Sequence, residues 1–456
     1  MSYLARDKDI IFALATPPGH GAIGVVRVSG EGCAEICRPL LGFLPKTPVS
    51  HKVYYGFFKD PKTAEKVDEV LVSYFSRGRS YTGEESLEIS FHGSPTLIEA
   101  AMMKLGDVGC RPADRGEFTY RAYMNDRIDL LQAEAVQSLV QSRNSQVSHQ
   151  ALRQLEGQLS GTIQEIKLEI IRLLAHLEAN IDFATEGLEA INFEALNAWI
   201  NNIELKITRL VNSYSAGKVL RDGLRVAIIG CPNAGKSSLM NAILGKNRAI
   251  VSEHAGTTRD TLESSQYFGQ ILSTLVDTAG LRETDDSIEK EGVLRSVETI
   301  EASDLVLYVF DILKGWTDED QTHYDKILKS RPVLVVGSKK DLLAAEVKVP
   351  ALPKPHFLVS SLTGDGLIGL TQSIEQMFSD TLDGDGGFLI SARQHRLLSH
   401  VQNCVVAAKG LILERFGEEI IAIELREALK NLNDLLGIDL SEDVISKIFS
   451  DFCIGK

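Results

Sequence analysis

RVAIIGCPNAGKSSLMNAIL, residues 225–244, decides how the middle of this chain is read. An apolar, β-branched run ends at Gly230, and a helical run opens at Lys236. Between them, Gly230-Cys231-Pro232-Asn233-Ala234-Gly235-Lys236-Ser237 fits GxxxxGK[ST] in the strand–loop–helix context that the motif demands. Glycines let backbone N–H groups curve around phosphates. Lys236 supplies charge to the β/γ oxygens, and Ser237 can ligate Mg²⁺. Asn233, Ala234, Gly235 and Ser238 complete the expected phosphate-binding loop.

Outward from this stretch, RVAIIG (225–230), STLVDTAG (273–280), LVLYVFD (305–311), PVLVVGS (332–338) and HFLVSS (356–361) alternate with helix-like segments. Such runs indicate a parallel, doubly wound sheet. On either side the texture is helical. Leu152, Leu159, Ile166 and Leu173 recur every seven residues with Leu155, Ile163, Ile170 and Leu177 beside them, and residues 394–453 carry similar spacing. A helical bundle is expected there rather than a sustained coiled coil. Before residue 120 the runs 23–30, 52–58, 68–75 and 86–93 are strand-like and end in turn residues, a mixed α/β or mostly β texture. The expected fold class is multidomain α/β plus α. Its parts are an N-terminal domain (1–120), a helical domain in two pieces (121–220 and 384–456) and an inserted α/β domain (221–383).

Composition narrows the function. With 62 acidic against 48 basic side chains the net charge is −14, which excludes nucleic-acid binding through a generally basic surface. Six cysteines are too few for a disulfide scaffold, and the Cys33/Cys37 pair lacks the partners of a zinc site. No run approaches the length of a membrane span, and the apolar stretch Ile10–Ala15 is too short for a signal peptide. A cytoplasmic protein without a membrane partner is expected.

Three further motifs accompany the phosphate loop. Asp277-Thr278-Ala279-Gly280 ends a strand: Asp277 can approach Mg²⁺, and Gly280 can offer an amide to a γ-phosphate. Gly256-Thr257-Thr258-Arg259-Asp260 lies between, with Thr258 the better candidate to close over Mg²⁺. Ser338-Lys339-Lys340-Asp341 follows a strand, and the carboxylate of Asp341 can accept from guanine N1–H and N2–H, which adenine cannot match. The array resembles the TRAFAC-type GTPases, whose string at this place is NKxD. Here Ser338 replaces the asparagine, and Ser360-Ser361-Leu362 stands where those proteins carry an SAK-like loop. Leu281 occupies the position of a water-orienting glutamine, so hydrolysis needs another group and another positive charge. Glu289 is the candidate for the water, and Asn233 with the loop Ser252–Thr257 for a monovalent cation.

Four more pieces carry a specific resemblance. They are Ala15–Gly19 with Val25–Gly30, Tyr81–Glu84 through Glu88 and His92-Gly93, Arg111–Ala113 with Gly116–Phe118 and Asn125–Leu130, and the end Phe452-Cys453-Ile454-Gly455-Lys456. In this order they resemble the MnmE (TrmE) family of tRNA-modifying GTPases. The resemblance implies a folate-binding N-terminal α+β domain that dimerises, a discontinuous helical domain and an inserted Ras-like G domain. It implies a homodimer whose G domains meet when K⁺ and GTP are bound. It also implies a flavoprotein partner, MnmG (GidA), in a heterotetramer that adds an aminomethyl-type (carboxymethylaminomethyl) group to C5 of the wobble uridine of certain tRNAs. Arg27, Glu88, Arg127 and Lys456 would hold 5-formyltetrahydrofolate or a related tetrahydrofolate. Asn233, Ser252, His254 and Thr257 would surround K⁺, and Ser237 and Thr258 would bind Mg²⁺. Glu289 would orient water, and Cys453 would act near the modification chemistry, although a plain exposed thiol is the alternative there. A rival reading is a regulatory GTPase switch in ribosome assembly, which gives Arg27, Glu88 and Lys456 no folate to bind.

Overall fold

The computed structural model describes residues 8–142, 145–182, 193–246, 263–268, 271–277, 299–329, 331–343, 352–379, 388–438 and 440–455. Its contacts divide the chain into two units. One comprises Met1–Gln141, Ala151–Ile207 and Arg396–Lys456, the other Ser142–Gln150 and Thr208–His395.

The first unit opens with a six-stranded sheet. Strands β1 (Ile11–Leu14), β2 (Ile23–Ser29), β3 (Lys52–Lys59), β4 (Lys66–Phe75), β5 (Ser86–His92) and β6 (Arg111–Pro112) lie in the order β3-β4-β5-β2-β1-β6. Neighbours are antiparallel except β1 and β6. Side chains alternate across a strand, so Val26, Val28, Val70, Val72, Leu87, Ile89 and Phe91 share one buried face. Following the short α1 (Cys33–Ile36), helix α2 (Pro95–Asp107) covers that face through Ile98, Ala101 and Leu105. Arg27, Glu88 and Ser73 stand opposite one another on the other face. The four strand-like runs are strands; β1, inside the apolar stretch Ile10–Ala15, and α2 are not among them. Cys33, Cys37 and Cys110 are buried thiols of this core.

Helices α3 (Glu117–Met124), α4 (Leu130–Gln141), α5 (Ser145–Leu155), α6 (Gln158–Asp182) and α7 (Phe193–Asp222) follow, and Ala392–Leu413, Glu418–Leu436 and Glu442–Ser450 are helical near the end. Helix α6 buries Ile163, Ile166, Ile170, Leu173 and Leu177 fully and packs on Glu418–Leu436, which buries Leu425, Ala428 and Leu432. The seven-residue repeat does not run as one helix. Gly157 adopts φ 88°, a left-handed conformation that ends α5, so Leu152 lies on a separate helix and is 45% exposed.

In the second unit, β7 (Leu224–Ile229), β8 (Glu263–Phe268), β9 (Ile271–Asp277), β10 (Leu305–Asp311), β11 (Val333–Ser338) and β12 (His356–Leu358) form a sheet in the order β12-β11-β10-β7-β9-β8. The five strands read from the sequence are parallel, and β8 adds an antiparallel edge. Every residue of β10 and β11 is buried, which is why both read as unbroken apolar runs. No described helix is long and apolar enough to cross a membrane.

Ile89 is fully buried at the centre of the first sheet. Ile89→Ala should cost about 2–5 kcal/mol, read as a lower urea midpoint for the transition of that unit; an unchanged midpoint would contradict this packing.

Candidate functional site

The phosphate loop leaves β7 at Gly230, whose φ is 152°; a Cβ there would lie 1.9 Å from the Val309 carbonyl oxygen, so only glycine fits. Asn233 (φ 62°) and Gly235 (φ 92°) are also left-handed, and they turn the chain into helix α8 (Lys236–Lys246). Lys236 is buried, and its Nζ donates to the carbonyls of Gly230 (2.8 Å) and Cys231 (2.9 Å), curling back over its own loop. Ala234 is buried beneath, while Asn233, Ser237 and Ser238 are exposed at the loop and the first turn of α8. A helix N-terminus with an ammonium beside it is electrostatically suited to phosphate.

Two carboxylates brace this loop and its neighbour. Asp320 accepts from Tyr308 Oη (2.9 Å), from the Thr317 hydroxyl (2.7 Å) and from Cys231 Sγ (3.5 Å) in the loop itself. Burial opposes ionisation of Asp320, but the Thr317 hydroxyl and amide, Tyr308 and Cys231 outweigh it and hold the carboxyl below its ordinary value. Sequence reasoning missed Asp320; its signal is the capping box Thr317-x-x-Asp320. Asp311, at the end of β10, is likewise pushed up by burial yet lowered overall by Lys339, whose Nζ is 2.6 Å away, and by the Leu313 amide.

At the Ser338-Lys339-Lys340-Asp341 segment, Ser338 closes β11 with its Oγ 2.5 Å from the Ala234 carbonyl oxygen, so the serine reaches the candidate phosphate loop. Lys339 is left-handed (φ 63°). The carboxylate of Asp341 is exposed and accepts from the buried Ser360 hydroxyl at 2.6 Å. The Thr363 amide in turn donates to Ser360 Oγ (3.1 Å). Ser361 is half-buried and Leu362 is 85% exposed. Thus Lys236, Ser338, Asp341 and Ser360 all lie at the carboxyl ends of parallel strands or just beyond, where doubly wound sheets bind ligands. Asp277 ends β9, known here by its backbone. Ser252, His254, Thr257, Thr258, Thr278, Ala279, Gly280, Glu289 and Lys456 lie outside the described residues.

The other candidates belong to the first unit. Arg27 donates from Nε (3.0 Å) and Nη2 (2.8 Å) to Glu88 Oε1 across β2 and β5. Its guanidinium lies 5.3 Å from the Tyr81 ring centre and 5.7 Å from that of Phe118. Tyr81 belongs to a loop held by a buried network: Arg121 pairs with Glu84 (3.1 Å) and Glu117 (3.0 Å), and Arg111 pairs with Glu117 (2.7 Å). Asn125 Nδ2 donates to the Thr82 carbonyl (2.8 Å), and a Cβ on Gly83 would lie 3.0 Å from Arg127 Cγ. Arg127 therefore rests against the same loop, at a cavity of about 550 Å³ that Asp126, Asp129 and Gln132 also line. The C-terminal segment joins this unit through buried Phe452, through Arg115 Nε on the Phe452 carbonyl (3.1 Å) and through the Gly116 amide on the Cys453 carbonyl (3.3 Å). Gly455 (φ 90°) packs so closely that a Cβ would lie 2.3 Å from the Leu14 carbonyl oxygen. Cys453 is exposed. Roles for Glu84, Glu117 and Arg121 were not legible, because buried charge networks leave no periodic trace in a sequence.

The lowered carboxyl of Asp320 stabilises the native state above the unfolded carboxyl value, and this contribution is lost as pH falls through the native one. Asp320→Asn should therefore flatten the acid limb of stability against pH, measured by thermal unfolding across acid buffers; an acid limb as steep as that of the wild type would contradict the assignment.

Two family profiles match the chain: "GTP-binding protein TrmE N-terminus" over residues 10–127 and "MnmE helical domain" over residues 130–453. Proteins named tRNA modification GTPase MnmE are similar along nearly the whole length. That of Bdellovibrio bacteriovorus is 39% identical, covering 99% of this chain and 98% of its own. That of Thermus thermophilus is 40% identical, covering 98% and 99%. That of Aquifex aeolicus is 37% identical, covering 98% and 100%. With both flanking regions and the phosphate-loop unit accounted for by one set of relatives, the chain belongs to the MnmE (TrmE) family of tRNA modification GTPases.

Proposed function

We propose that the chain is a K⁺-stimulated GTPase that cycles its G domains, residues 221–383, to drive modification of the wobble uridine at C5, together with the flavoprotein MnmG. Its class is that of its family, a GTP hydrolase acting in tRNA modification with GTP and Mg²⁺. The observation that carries the reading is the pairing, at the carboxyl ends of the strands of one sheet, of a lysine curled over a glycine loop with an aspartate fixed by Ser360. The first suits a triphosphate and the second suits guanine.

The donor sets fit the groups that the reading requires. Hydroxyls of Ser237 and Thr258 with the carboxylate of Asp277 are hard oxygen ligands of the kind Mg²⁺ takes. Mg²⁺, when bound, neutralises charge on the phosphates. Asn233, exposed on its left-handed turn, offers a neutral amide oxygen to K⁺ along with Ser252, His254 and Thr257. Glu289 orients water in place of the glutamine that Leu281 displaces. In residues 1–120, the Arg27–Glu88 pair beneath Tyr81 and Phe118 combines charge and aromatic surface, which suits the polar ring system of a tetrahydrofolate. Arg127 and Lys456 complete that set. The helical pieces, 121–220 and 384–456, carry Cys453 toward the same unit. We place the protein in the cytoplasm as a homodimer joined through its N-terminal domains.

The test is GTP hydrolysis by the purified protein in KCl and NaCl at equal ionic strength. A large K⁺-specific rise with ATP inert is expected, and equal slow rates would remove the potassium mechanism and favour a regulatory switch. Asn233→Ala should lose the K⁺ stimulation while still binding GTP. Glu289→Ala should lose about 10²-fold or more in turnover with GTP affinity retained; a normal rate would exclude it as the water-orienting group.

A further inference from the structure

We infer that Ser338 is a positioning residue whose single proton braces the phosphate loop, which leaves the purine N7 unread and base selection to Asp341. The inference rests on the GTPase reading above. Ser338 is 1% exposed at the end of β11. Its Oγ is 2.5 Å from the Ala234 carbonyl oxygen and 3.1 Å from that of Phe310. A hydroxyl has one proton to donate, and the shorter contact takes it.

An asparagine amide, as in the NKxD string, has two N–H protons. One can brace a loop carbonyl while the second reaches an acceptor such as N7 of a purine. Ser338 has no second proton, and its oxygen meets N7 as one acceptor meets another. The packing suits the shorter side chain. A Cβ built on Gly235 would lie 3.2 Å from Ser338 Oγ and 3.3 Å from its Cβ, so the loop backbone rests directly on this serine.

Asp341 is held separately, by the Ser360 hydroxyl at 2.6 Å, and the Lys340 amide ties that turn to the Val359 carbonyl (3.1 Å). Two tasks that the two protons of one amide could serve are therefore divided here. Ser338 bears on the triphosphate through the loop, and Asp341 bears on the Watson–Crick edge of guanine. The division predicts a nucleotide site that selects guanine over adenine yet is blind to the atom at position 7 of the base.

The experiment compares dissociation constants for GTP and 7-deaza-GTP, which carries C–H in place of N7, on the full-length protein and two variants. The wild type should bind both within about twofold, since one ordinary hydrogen bond is worth about 2- to 12-fold. Ser338→Asn should introduce a preference for GTP over its 7-deaza analogue in that range. Ser338→Ala orphans the buried Ala234 carbonyl and should weaken both nucleotides by at least about fivefold with no change in their ratio. A merely structural role for Ser338 would leave the ratio unmoved in Ser338→Asn. A wild-type preference for GTP above about fivefold, an unchanged ratio in Ser338→Asn, or full affinity in Ser338→Ala would each overturn the inference. Failure of the wild type to bind either nucleotide would instead sink the GTPase reading, so the two failures are distinguishable. The wild-type ratio needs no variant to fold.

Discussion

The approach of Gly230 to the Val309 carbonyl is the constraint on which the proposed nucleotide site depends. Backbone passes backbone at a distance that excludes even a methyl group. Two left-handed residues, Asn233 and Gly235, then complete the turn into α8. The strain of a non-glycine residue at φ 62° is borne by contacts on both flanks, from Asp320 to Cys231 and from Ser338 to Ala234. A phosphate loop must hold its shape before the anion arrives, because reorganisation on binding would come out of affinity. The bracing explains why buried polar groups are tolerated beneath it.

The same logic operates in the first unit with charges in place of carbonyls. Arg121 and Glu117 are nearly inaccessible and would be costly if either stood alone. Together with Glu84 and Arg111 they form a chain of ion pairs that fixes the loop carrying Tyr81, Thr82 and Gly83. That loop sets the Tyr81 ring over Arg27 and the backing for Arg127. A hydrophobic replacement could match the volume of this network without fixing the same loop. The C-terminal residues are held to the same unit by Phe452 and by the tight passage of Gly455, which brings the exposed thiol of Cys453 to a defined place.

Much of the fold could be read directly. The five parallel strands of the second unit and four of the first were legible because burial on both faces, or on one, leaves continuous or alternating apolar patterns. The antiparallel β8 was not, since Glu263–Phe268 is largely polar and joins the sheet at its edge. Helical periodicity correctly marked α6, but it continued through Gly157 to Leu152, where the chain in fact turns. Periodicity records which face of a helix is apolar, and two successive helices can share that period across a break.

For the candidate site, residue type and spacing alone pointed to the phosphate loop, to Asp341 as the proposed base acceptor and to the departure at Ser338, because each is a local requirement of chemistry on a short stretch of chain. Tertiary structure alone decided what Ser338 does with its proton, that Ser360 holds Asp341, and that Asp320 reaches back to Cys231. Those partners lie 19 to 104 residues apart in the chain. Hydrogen bonds over such separations depend on strand order and helix packing, and a side chain's type states what it can donate without stating where it will be placed.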